Sequence, residues 1–76
     1  DTFLLSIRTY PNPVNNRLYI TGLVEATEVN IYNISGQLVL SEHVKSNMDV
    51  SSLESGIYIL SIIKGKEQSI HKLVKR

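Results

Sequence analysis

The chain has 76 residues, 42% of them hydrophobic, with a net charge of +1 and no cysteine. A chain this short buries only about 60% of the surface it exposes when unfolded, so its core is thin, and neither a disulfide nor a closed cysteine metal site can staple it. The near-neutral charge argues against a nucleic-acid module, no apolar run approaches the roughly 20 residues of a membrane span, and a start at Asp1 without a basic region is not a signal peptide.

Short runs rich in Val, Ile, Leu, Thr and Tyr alternate with turn residues, and no 3.6-residue period is sustained. The pattern is all-β. Phe3–Tyr10 reads as a first strand, ended by Pro11, which donates no hydrogen bond and pushes Tyr10 to an extended conformation. Pro13 does the same to Asn12, and Asn15-Asn16 turns the chain. Residues 11–16 thus read as a stiff, extended crossover. Arg17–Thr21 alternates, with Leu18 and Ile20 on one side and Arg17, Tyr19 and Thr21 on the other, and Gly22 ends it. Thr27–Ile34 alternates again, with Val29 and Ile31 toward the core and Tyr32 on a half-covered face. Ser35-Gly36 marks a tight hairpin, with Gly36 supplying the positive φ. The next strand, Gln37–Val44, sets Leu38, Leu40 and Val44 against Val39, Ser41 and His43.

Lys45-Ser46-Asn47 reads as a loop and Met48-Asp49-Val50 as a short extended piece. Ser51-Ser52-Leu53-Glu54 has the S-x-x-E spacing of a capping box, which predicts one short 3-10 turn near 51–54 that tucks Leu53 into the core. Ile57–Ile63 is the strongest β run. It is apolar on both faces apart from Ser61, which places it centrally. Lys64-Gly65-Lys66 turns the chain into a last strand, Glu67–Lys75. Six or seven short, mainly antiparallel strands predict an Ig-like β-sandwich. No Pro- or Ser-rich linker divides the chain, so residues 1–76 read as one domain. Residues 1–6 can alternatively be the end of an upstream linker.

A hydrolase needs a nucleophile, a base and an orienting acid that converge. No G-x-S-x-G elbow is present. His43 and His71 lie 28 positions apart, without i, i+4 pairing, and read as surface or rim residues. Asp49 reads as an acceptor for backbone N–H groups of the 51–56 loop, and Asn12, Asn15 and Asn16 as turn residues. The four glycines sit at separate turns and form no phosphate loop. Phe3 and the four tyrosines fall on separate strands, a poor arrangement for a sugar platform, and at least two of the rings read as partly buried with the hydroxyl at the rim. The expectation is therefore no catalytic activity, no metal and no cofactor. From Lys64 to Arg76 there are five basic residues and one acid. These lysines either guard an edge strand against aggregation or form a recognition tail.

Taken in order, the motifs Tyr10-Pro11-Asn12-Pro13-Val14, the Leu18/Ile20 strand, Val29-x-Ile31-Tyr32-Asn33-x-x-Gly36-x-x-Val39, Gly56-x-Tyr58 and the terminus Lys72-Leu73-Val74-Lys75-Arg76 resemble the type A C-terminal sorting domain of the type IX (Por) secretion system of Bacteroidetes. Glu54 departs from the proline that family members often carry there, and completes the capping box instead. The resemblance implies an Ig-like domain that directs an upstream cargo protein from the periplasm through the outer-membrane translocon to the cell surface or medium. It also implies a shuttle protein and a sortase as partners, the sortase removing the domain as cargo is anchored. By the same resemblance, Pro11, Asn12, Pro13, Gly36, Gly56, Tyr58, Lys72, Leu73, Val74, Lys75 and Arg76 carry recognition or its scaffold. Pro11 and Pro13 stiffen the crossover, Gly36 and Gly56 permit bends, Tyr58 packs, and the last strand and basic tail contact the partner. A final edge strand offers backbone groups for strand addition, to a partner or to a second copy. Deleting Lys72–Arg76 is then expected to block export with little change in stability. The alternative reading is an Ig- or fibronectin-like adhesion or carbohydrate-binding module that uses Tyr19 or Tyr32.

Overall fold

The computed structural model describes residues 6–76. Among them are seven strands: β1 (Arg8–Tyr10), β2 (Arg17–Thr21), β3 (Thr27–Asn33), β4 (Leu38–Val44), β5 (Asn47–Asp49), β6 (Gly56–Lys64) and β7 (Glu67–Lys75). They form a three-stranded sheet in the order β1-β2-β5 and a four-stranded sheet in the order β4-β3-β6-β7. All strand pairs are antiparallel. The fold is the expected β-sandwich. Of the expected first strand, Phe3–Leu5 lies outside the described residues.

Alternation decides which side chains meet between the sheets. Leu18 and Ile20 of β2 and Met48 of β5 point in from the smaller sheet. Val29 and Ile31 of β3, Tyr58, Leu60 and Ile62 of β6, and Leu73 of β7 meet them from the larger one. Ile7, Val14, Val50 and Leu53, from connecting segments, close the ends of this core. As expected from its length and apolar content, β6 is central: it pairs with β3 on one side and β7 on the other.

Three local readings change. The β3–β4 turn is not a two-residue turn. Asn33 N–H donates to Gln37 O at 2.9 Å and Gly36 N–H donates to Asn33 O at 2.9 Å, so three residues form the loop. Gly36 sits at φ 86°, the left-handed position such a loop needs. The Asn33 carboxamide drives this turn: its Oδ1 accepts from Ser35 N–H and Gln37 N–H, both at 3.0 Å. Second, the ladder slips beside it. Ile31 pairs with Leu40 but Tyr32 pairs with Leu38, which makes Val39 the extra residue of a β-bulge. Leu38 therefore turns to the outer face with Tyr32 and is 51% exposed, while Leu40 and Val44 keep the inward side. Third, the short 3-10 turn read near 51–54 is a single i to i+3 turn over residues 50–53, closed by Leu53 N–H to Val50 O at 3.1 Å. Leu53 is buried as expected. The cap is supplied by Asp49, whose carboxylate accepts from Ser51 N–H at 2.8 Å, so the role read for Asp49 holds and the capping box does not organise the turn. The Ser51 hydroxyl, and after it that backbone N–H, lower the Asp49 pKa.

Candidate functional site

The register gathers the scattered motifs at one end of the four-stranded sheet. Asn33 lies opposite Tyr58, and Tyr58 opposite Leu73. The Gly36 loop, Gly56, Tyr58 and Lys72–Arg76 are thereby brought to the same end, although 40 positions separate Gly36 from Arg76 in the chain. Gly56, at φ 155°, opens β6 opposite Lys75. Tyr58 is 8% exposed and its hydroxyl donates to Glu54 O at 2.6 Å. That bond ties the 51–55 loop onto β6, so Tyr58 packs as expected and also fastens a loop.

Lys72–Lys75 lie in the last strand, as read, and the recognition tail read for the basic terminus is part of that strand. With Arg76 they are the second half of β7 and its continuation, and they alternate between the core and the outer face of the sheet. Leu73 is 1% exposed and Lys75 8%. The Lys75 Nζ donates to Arg76 O at 3.3 Å, so its stem is buried while the ammonium sits at the end of the strand. Only Lys72, Val74 and Arg76 turn outward, Lys72 and Arg76 exposed and Val74 half-buried.

The Tyr10–Asn16 crossover seals the edge of this half-strand. Val14 N–H donates to Val74 O, and Arg76 N–H donates to Val14 O, each at 2.8 Å. The Asn12 carboxamide extends the pairing by one step: Nδ2–H donates to Lys72 O at 3.1 Å and Oδ1 accepts from Val74 N–H at 2.9 Å. Asn12 thus copies with its side chain what a strand would offer with its backbone. The crossover bends on both sides of Val14 to do this and does not run extended, and the two prolyl bonds that flank Asn12 are cis. Pro11 and Pro13 stay exposed. Strand addition at Lys72–Arg76 is therefore blocked by the chain's own crossover. Strand β7 is an edge strand, as read, but its outward backbone groups lack a strand partner among the described residues only nearer Gln68 and Ile70. Val14 stands in the first motif but was given no role by sequence, although it is fully buried. The available signal was one apolar residue set between Pro13 and Asn15-Asn16.

The titratable groups do not converge. His43 pairs opposite Glu28 on β4, one edge of the four-stranded sheet, and His71 pairs opposite Leu60 on β7, the other edge. The His71 Nε2 lies 2.7 Å from Ser69 Oγ, and burial lowers its pKa. Among the described residues no three His, Cys, Asp or Glu side chains are grouped to hold a metal ion. The tyrosines, read as dispersed, are partly brought together. Tyr10 and Tyr19 face each other across β1 and β2 with ring centroids 5.4 Å apart and planes 16° from parallel, both substantially exposed.

The chain is a small β-sandwich whose motifs gather around one strand, β7. Residues 8–76 match the family model described as the secretion system C-terminal sorting domain. The chain belongs to that family, the sorting domains of the type IX (Por) secretion system, which mark cargo for export across the outer membrane and are not catalytic. A relative is the protein named beta-agarase D of Zobellia galactanivorans, 33% identical over 69 residues. That match covers 90% of this chain and 14% of the agarase, so the chain spans about a seventh of its relative.

Proposed function

We propose that this domain carries a cargo joined ahead of it through the periplasm to the type IX outer-membrane translocon, is received by a shuttle protein, and is removed by a sortase as the cargo is placed on the cell surface. The observation that carries this reading is the family match over residues 8–76. Its support is the placement of the matching motifs around β7. Pro11–Val14 clamps the strand from its open edge, and Gly56 and Tyr58 hold it from the other side. The residues that contact partners are Lys72, Val74 and Arg76. Leu73, Lys75, Tyr58, Gly36 and Asn12 build the frame that presents them. A match to a seventh of the agarase is the proportion expected of an address on a larger passenger.

Fusing residues 1–76 behind a periplasmic reporter, in a bacterium that possesses the system, tests the reading. The expected result is reporter at the surface or in the medium, with the domain cut from it. A folded fusion that stays in the periplasm refutes it. A second reading, a carbohydrate-binding accessory module, is favoured by the exposed Tyr10–Tyr19 pair alone. It predicts retention on polysaccharide that Tyr19→Ala abolishes while export continues.

A further inference from the structure

Strand β6 breaks the rule for a sheet with one solvated face. Such strands alternate apolar and polar residues, yet the outward positions Ile57 and Ile59 are 47% and 38% exposed. The register surrounds them with more apolar surface. Ile59 lies beside Tyr32, Tyr32 beside Leu38, and Ile57 beside Val74. The β-bulge at Val39 completes the patch by turning Leu38 outward.

Among the described residues, the charges that the register places on this face beside the patch are basic. Lys72 stands opposite Ile59, and Arg76 follows Val74 on the same face. The carboxylate that the register places on this face is Glu28, at the far end, where it accepts from Asn30 Nδ2–H at 2.9 Å. Between the patch and that end lie Ser41, Asn30, Ser61 and Gln68, joined by Ser41 Oγ–H to Asn30 Oδ1 at 2.6 Å and Gln68 Nε2–H to Ser61 Oγ at 2.7 Å, with exposed Ile70 beside Ser61 at the β7 edge. Because Asn12 and Val14 occupy the backbone edge at Lys72–Arg76, a partner at this end meets side chains on the sheet face, not a free ladder.

We infer that the outer face formed by Tyr32, Leu38, Ile57, Ile59 and Val74, bordered by Lys72 and Arg76, is the docking surface of the domain. It fits a partner protein whose facing surface is apolar at its centre and carries carboxylates along one border, the arrangement in which opposed charges set orientation and the apolar centre sets affinity. The inference rests on the sorting reading and deepens it.

The test uses the same reporter fusion with three variants: Ile57→Thr/Ile59→Thr, which keeps strand-forming residues, Lys72→Glu/Arg76→Glu, which changes exposed groups only, and Tyr19→Thr on the opposite sheet. Thermal melting of each purified domain reports the fold. The first two are expected to lower surface delivery roughly tenfold or more, as truncated interface anchors do, while Tyr19→Thr delivers as wild type. Wild-type delivery by both folded face variants overturns the inference. If Ile57→Thr/Ile59→Thr does not melt cooperatively, the charge reversals decide alone. A wild-type dimer in sedimentation that the face variants dissociate, with delivery unchanged, assigns the face to a second copy and also overturns it. Failure of the wild-type domain to deliver the reporter refutes the proposed function itself, a result separate from loss in the variants alone.

Discussion

A domain shortened to end at His71 loses Leu73, whose side chain is 1% exposed and packs opposite Tyr58 in the core. It also loses the pairings of Ile59 with Lys72, Ile57 with Val74 and Gly56 with Lys75. The bonds from Asn12 and Val14 to Lys72, Val74 and Arg76 disappear with them. Burying a leucine contributes roughly 1.5–3 kcal/mol. Each of those four edge bonds adds a net of about 0.5–1.5 kcal/mol, toward the lower end where water competes. The sum is roughly 4–9 kcal/mol. A domain of this length is stable by only roughly 4–11 kcal/mol in all. The truncated protein is therefore expected to be largely unfolded at 25 °C. Leu73→Ala alone is expected to destabilise by about 2–5 kcal/mol, whereas Lys72→Ala and Arg76→Ala stay within about 0.5 kcal/mol. Urea unfolding followed by circular dichroism measures all four. A truncated domain with the midpoint and slope of the intact one would refute the reasoning, because it would mean that the Leu73 site and the edge bonds contribute nothing. Loss of export on truncation is then ambiguous, and the exposed pair Lys72 and Arg76 is the place to separate address from fold.

Three further outcomes follow from single groups. Asn12→Ala removes both carboxamide bonds to β7 and is expected to lower stability by about 1–2 kcal/mol. Asn12→Asp keeps the acceptor for Val74 N–H but cannot donate to Lys72 O, so it falls between, and equal stability of all three proteins would show that the clamp is idle. Tyr58→Phe deletes the bond to Glu54 O and is expected to cost about 1 kcal/mol, with faster amide exchange confined to the 51–55 loop. On acidification, two windows open. Burial lowers the His71 pKa below its ordinary 6.5, so the unfolded chain binds the proton first. The His71 contribution is complete above that value and fades as pH falls through the lower folded pKa. The Asp49 pKa is held below 3.8 by its bonds to Ser51, so its contribution is present above that value and is lost only at more acid pH. Denaturation midpoints measured from pH 8 to pH 2 should show His71→Gln flattening the first window and Asp49→Asn the second.

Sequence alone determined what depends on neighbours along the chain. Alternation in Arg17–Thr21 and Thr27–Ile34 told which side chains point inward, because a strand's period of two needs no knowledge of its partner. The length and apolar content of Ile57–Ile63 marked the central strand. Ser35-Gly36 announced a turn, and the order of short motifs announced the family. Tertiary structure decided what depends on register and on segments far apart. The bulge at Val39 turned Leu38 outward, Val14 and Asn12 reached across about 60 positions to seal β7, and Tyr10 met Tyr19. The last strand lies where it was read, but the burial of Leu73 and Lys75 and the sealing of its edge at Lys72–Arg76 were decided by contacts with β6 and the crossover. A linear pattern records neither.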